Sequence, residues 1–123
     1  MKTLLIATII LLLSIGLKAQ VYIFNGYNKT IVTEHNQTST FNQTSKFIIN
    51  YDTTQITLLE NSKVFNFKIL NSYSKNDMIF IRVRLNDGHL ANMILENTGQ
   101  YIVLSIIWDT GVCLIYNATI QIT

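Results

Sequence analysis

Two histidines, one cysteine and seven carboxylates are the side chains of this 123-residue chain with the chemistry for metal binding or acid–base work. His35 follows Glu34 in a polar stretch, and His89 follows the Asp87-Gly88 pair. A zinc site draws four protein ligands, or three and a water. Two isolated histidines and Cys113 do not supply that spacing, so both histidines read as surface residues. Cys113 lies between Val112 and Leu114 in a strand-like run and reads as a buried thiol; a disulfide to a second chain is the alternative. The acids Glu34, Asp52, Glu60, Asp77, Asp87, Glu96 and Asp109 fall mostly at turns or strand ends, where Asp bonds its own backbone. No pair stands out as the two carboxylates of a glycosidase, and no G-x-S-x-G elbow frames a nucleophile. We therefore expect no catalytic, metal or cofactor residue, and no enzyme.

Phe80, Arg82 and Arg84 alternate along one strand face. Such a set binds an anion, or stacks on a base or sugar. In the plainer reading the arginine stems cover apolar neighbours while their heads stay wet. Four N-x-[ST] sequons begin at Asn28, Asn36, Asn42 and Asn117. They carry glycans only in a eukaryotic secretory pathway, and a chain this rich in Asn and Thr produces them by chance.

The elements that must position these residues begin after a leader. Lys2 is followed by an uncharged, largely aliphatic stretch to Leu17, and then by Lys18-Ala19-Gln20. That is the three-part pattern of a helical signal peptide over residues 1–19, cut after Ala19. A spanning helix needs about 20 apolar residues, so the expected destination is the periplasm or the exterior. Membrane contact is expected only if the leader stays uncleaved. A leader ending in KAQ resembles the export signals of small secreted proteins of the Bacteroidota. The net charge of +2 belongs to Lys2 and Lys18; beyond Ala19 seven basic residues face seven acidic ones. That balance argues against nucleic acid as a partner.

Beyond the leader, Val21 to Phe24 reads as a short strand. Asn25 to Lys46 reads as a polar loop, with a weak edge strand near Thr30 to Thr33. It holds a small repeat, Asn36-Gln37-Thr38-Ser39 and Asn42-Gln43-Thr44-Ser45. The expected organisation is thus residues 20–46 as strand and loop, then residues 47–123 as the β-domain. In the latter, β-branched and aromatic runs alternate with turn residues. Strands are expected at 47–51, 55–60, 64–72, 78–86, 90–97, 101–108 and 112–116, with a tail at 118–122. The expected fold is all-β: a single-domain antiparallel meander of seven or eight short strands, closing as a small sandwich or barrel to hide its edges. Residues 47–116, with the segment Phe65 to Leu70, resemble short secreted β-meander proteins of flavobacterial type. That resemblance implies a fold and no site.

A type I′ turn at Asp87-Gly88 would place Leu85 opposite Leu90 and Ile81 opposite Ile94. Continuing the register puts Ile79, Ile81, Val83, Leu85, Leu90, Ile94, Val103, Ile107 and Leu114 on one face, the predicted core. The opposite face then holds Met93, Leu95, Ile102, Leu104, Ile106, Trp108, Cys113 and Ile115. Leaving that stripe bare would forfeit ~1.5–3 kcal/mol per large side chain, so something covers it. The options are the chain's own N-terminal strands curling over it, a protein partner or second copy, or a small apolar ligand. A membrane barrel is disfavoured by short strands that are apolar on both faces. The functional expectation is a small exported binding or protein-interaction module, an inhibitor or immunity-type protein included. Its alternative is a lipocalin-like carrier lined by Met93, Ile106 and Trp108. In either case Met93, Leu95, Ile102, Leu104, Ile106 and Trp108 form the partner or ligand face, with Arg82 and Arg84 as anion contacts.

Overall fold

The computed structural model describes residues 21–121; the expected signal peptide and its cleavage point lie outside them. Eight strands follow one another: β1 (Val21–Val32), β2 (Thr38–Asn50), β3 (Gln55–Glu60), β4 (Lys63–Lys75), β5 (Met78–Leu85), β6 (Leu90–Asn97), β7 (Ile102–Trp108) and β8 (Cys113–Gln121). Each pairs antiparallel with its sequence neighbour, and β1 pairs with β8. The meander therefore closes as an up-and-down barrel. Closure gives every strand a neighbour on each side, which is how a β-chain disposes of most of its edges; the short β3 reaches only Ser45–Asn50 of β2 and Lys63–Lys68 of β4.

The stretch from Asn25 to Lys46 is not a loop. It forms most of the β1–β2 hairpin, with only residues 33–37 between the strands. Local polarity pointed to a loop, but β1 is the strand that closes the barrel, and its backbone bonds to β2 and β8 decide its conformation. Residues 21–46 are thus continuous with the β-domain.

Eight strands leave an interior just wide enough for side chains to fill. Phe24, Phe47, Ile49, Ile56, Leu58, Phe67 and Ile79 meet there with Met93, Leu95, Leu104, Ile106 and Tyr116. Lys46, Lys68, Arg84 and Glu96 are exposed outside. The apolar interior differs from the polar lumen of a transmembrane barrel.

The predicted core face is half right. Ile79, Ile81 and Val83 are buried, and Leu85 and Leu114 pack against the core. Leu90, Ile94, Val103 and Ile107 stay outside it, while Met93, Leu95, Ile102, Leu104 and Ile106 are buried. The cause is one residue in a turn. At Asp87-Gly88 the connection has three residues, closed by Leu85 N–H to His89 O and Gly88 N–H to Leu85 O, with Gly88 at φ 95°. That is a type I turn with a glycine bulge. It pairs Arg84 with Leu90 and Ile81 with Met93, and a one-residue slip exchanges the two faces of a strand. The same geometry recurs at Gly111, where Trp108 N–H meets Val112 O. It pairs Ile106 with Leu114 and returns Leu114 to the inside. True two-residue turns with both residues at positive φ lie instead at Asn61-Ser62 and Asn76-Asp77.

The second apolar face is therefore the barrel interior, and the chain itself covers it, except that the β7–β8 register turns Leu114 inward and so carries Cys113 and Ile115 to the outer side. Phe24, Phe47 and Ile49 share the core with Leu104 and Met93. Met93, Leu95, Ile102, Leu104 and Ile106, at 0–3% exposure, are not available to a protein partner from outside. Trp108 is partly buried and packs against the same core, with its ring 6.0 Å from that of Phe67.

Candidate functional site

Two polar constellations emerge, one inside the barrel and one outside. The inner one stands at the mouth formed by the β1–β2, β3–β4, β5–β6 and β7–β8 turns. Glu60, the last residue of β3, is buried. Its Oε2 accepts from Lys29 Nζ at 2.7 Å, and its Oε1 accepts from Ser45 Oγ at 3.1 Å and Tyr116 Oη at 2.9 Å. Lys29 Nζ also lies 5.6 Å from the centre of the Tyr116 ring, and that ring meets Phe47 edge-on at 4.8 Å. Burial, reinforced by the Glu60 charge and then by their hydrogen bond, pushes the Tyr116 phenol far above its ordinary value.

Register builds this group. Ser45 is opposite Glu60 across β2–β3, and Lys29 is opposite Tyr116 across β1–β8. A bulge between Gly26 and Asn28 shifts β1, so that Lys29 faces the same interior as Phe24. A buried ion costs several kcal/mol unless it is paired and hydrogen-bonded; here three donors compensate one carboxylate. The arrangement neutralises itself. Neither histidine nor Cys113 joins it. Sequence reasoning missed this group because Lys29, Glu60 and Tyr116 are far apart in the chain; Glu60 looked like one more strand-end acid.

The outer constellation is on β4–β7. A groove of about 330 Å³ is lined by Asn71, Tyr73, Phe80, Arg82, Asn92, Ile94 and Ile107. A β-bulge between Ile69 and Asn71 creates it. In β4, Phe67 and Ile69 are buried, and regular alternation would carry Tyr73 inward too. The extra residue, Leu70, turns Tyr73 outward to pair with Phe80. The two rings stack with centroids 5.0 Å apart and planes 14° from parallel, and Tyr73 remains 59% exposed. Arg82 Nη1 donates to Asn92 Oδ1 at 3.1 Å, which fixes the guanidinium beside the aromatic pair.

Arg82 and Arg84 thus lie on the outer face with Phe80, as alternation required, and Lys68 pairs across from Arg84. The ion pairs among the described residues involve Lys29, His35 and His89, so Arg82, Arg84 and Lys68 have no carboxylate within 4.0 Å. His35 is at the exposed β1–β2 turn, 3.7 Å from Glu34. His89 lies between Asp109 and Asp87, at 3.8 and 4.0 Å, and is more than half exposed. No group of three or more His, Cys, Asp or Glu suited to a metal occurs among the described residues. Cys113 is a free, partly buried thiol, and burial raises its pKa.

No family model matches the chain, and no match was found among curated proteins or solved structures.

Proposed function

We propose that this chain is an exported, non-catalytic recognition module that binds an acidic saccharide on the outside of its barrel, in the β4–β7 groove. One observation carries the reading. A stacked aromatic pair with Tyr73 exposed, two amides and an oriented guanidinium converge on one groove, with unpaired cations beside it and no carboxylate in its lining. A sugar ring offers C–H groups to an aromatic face and hydroxyls to amides at its rim. A uronate or sulfate adds the anion that a guanidinium binds through two parallel hydrogen bonds.

The packed interior favours this outer surface. The void at the Tyr22–Tyr51 end is about 10 Å³, against ~300–1,000 Å³ for small-molecule sites. A lipocalin-like carrier would have to open its core to take an apolar ligand. A polynucleotide calls for a broad basic excess, which seven basic and seven acidic residues beyond Ala19 do not provide. Export rests on the leader.

Calorimetric titration with a tetrameric uronate and a neutral tetrasaccharide tests the reading. The uronate should bind more tightly. Tyr73→Ala and Arg82→Ala should each weaken it about tenfold, equivalent to about 1.4 kcal/mol. No binding of either saccharide, or binding indifferent to Tyr73→Ala, would refute the groove. Intact mass of the secreted form should begin at Gln20; the full precursor mass would refute export with cleavage.

A further inference from the structure

The barrel is closed, yet one of its strands is too short to cover its neighbours. β3 has six residues between two strands of thirteen. It pairs with β2 only from Ser45 to Asn50 and with β4 only from Lys63 to Lys68. Among the described residues, Thr38–Thr44 of β2 therefore meets no strand on its β3 side, nor does Leu70–Lys75 of β4. Each overhang leaves unpaired backbone donors and acceptors, a template for another strand.

The two overhangs are not alike. That of β4 ends in exposed Lys75, and the Ser72 hydroxyl lies 3.4 Å from the Tyr51 hydroxyl of the β2–β3 connection. Charge and a neighbouring side chain guard it. The β2 overhang, Thr38-Ser39-Thr40-Phe41-Asn42-Gln43-Thr44, has no charge and no proline, and all of it but Gln43 is exposed. Phe41 sits at its centre with 45% of its surface open.

We infer that two copies of this chain pair antiparallel through Thr38–Thr44, about a two-fold axis at Phe41. The occupant follows from self-complementarity. Antiparallel pairing about Phe41 sets Thr38 against Thr44, Ser39 against Gln43, Thr40 against Asn42 and Phe41 against Phe41. Every pair is hydroxyl or amide except the central aromatic one, and no like charges meet. An isologous contact of this kind closes after two copies, so it yields a dimer and no fibre. The partner strand would occupy the line that β3 leaves empty. It would bring the turn carrying Glu34 of one copy to the end of β3 in the other, where Lys46 and Lys63 are exposed. Beyond Ala19 the chain has equal numbers of acidic and basic residues, so two copies approach without net repulsion.

Native mass spectrometry and light scattering on the intact exported chain, from 1 to about 500 µM, test the pairing. The dimer fraction should rise with concentration. Thr40→Lys with Asn42→Lys places two like charges directly across each pairing and should leave a folded monomer, verified by an unchanged circular dichroism spectrum. Thr40→Val should remain dimeric. Phe41→Cys in a Cys113→Ser background gives a second, independent reading. Directly opposed residues of antiparallel strands approach within disulfide range, so mild oxidation should link two copies. A chain that stays monomeric throughout overturns the inference. So does a dimer that ignores the paired lysines and fails to cross-link at position 41.

Discussion

The two mouths of the barrel are closed by different chemistry. At the mouth of the β3–β4 turn, the charged group of Lys29, Glu60, Ser45 and Tyr116 plugs the interior. At the opposite mouth Tyr22 and Tyr51 meet edge to face, 6.3 Å apart, over Phe24, Ile49 and Leu95. What differs is dependence on partners: an aromatic lid loses area in proportion to what is removed, whereas a buried charge fails when one donor goes. The first mouth is therefore the vulnerable one.

The largest effect is expected from Lys29→Met, which leaves the Glu60 carboxylate buried without its countercharge. Breaking such a pair costs ~3–5 kcal/mol; Ser45 and Tyr116 still donate, so about 3 kcal/mol in urea unfolding is expected. Lys29→Met with Glu60→Leu should recover most of that loss, because removing both charges removes the unpaired one. A double variant no better than the single would break the contrast between the mouths.

Next comes Tyr116→Phe, which removes one hydrogen bond to the carboxylate. Bonds to charged groups contribute ~1.5–3 kcal/mol. At the other mouth Tyr51→Phe gives up only its 3.4 Å contact to the Ser72 hydroxyl, and less than about 1 kcal/mol is expected in the same measurement. Equal losses would erase the distinction.

The pH response sharpens it further. The native Tyr116 proton is held far above the ordinary phenol range, while the unfolded chain releases it near 10. Above pH 10 the unfolded state binds fewer protons than the native one, so stability falls as pH rises. Below that it is fully present. Urea midpoints from pH 8 to 11 should drop beyond pH 10, and Tyr116→Phe should flatten the drop. Tyr22 and Tyr51 are also raised, chiefly by burial, and should leave a smaller residual slope.

The smallest effect concerns Cys113. Its thiol pKa is raised by burial, so less thiolate forms than on the unfolded chain. Reaction with a disulfide reagent at pH 8 should be slower folded than in urea, and equally so in variants of either mouth.

Much of the fold was legible in the residue order. The β3 range, 55–60, stood out because Ile56, Leu58 and Leu59 lie in a short segment ended by the Asn61-Ser62 turn. The outward set Phe80, Arg82 and Arg84 followed from alternation. The side-chain facing of β6 and β7 relative to β5 did not, because Asp-Gly serves both a two-residue turn and a three-residue turn with a bulge. Those differ by one residue, and one residue exchanges inside and outside. Tyr73 was hidden for a similar reason: nothing local marks the bulge at Leu70 that turns it toward Phe80. Asn25 to Lys46 was misread because polar strands become strands through their neighbours.

By itself the sequence settled what depends on contacts between adjacent residues: β-class, short strands joined by turns, a core large enough for one domain without disulfides. The tertiary structure decided what depends on partners distant in the chain. It chose a barrel through the pairing of β1 with β8, brought Lys29, Glu60 and Tyr116 together, and left an edge of β2 bare. The reason is physical. Alternation records that a side chain is apolar, but which apolar face turns inward is set by register, and register is written in turn geometry and bulges that residue types underdetermine.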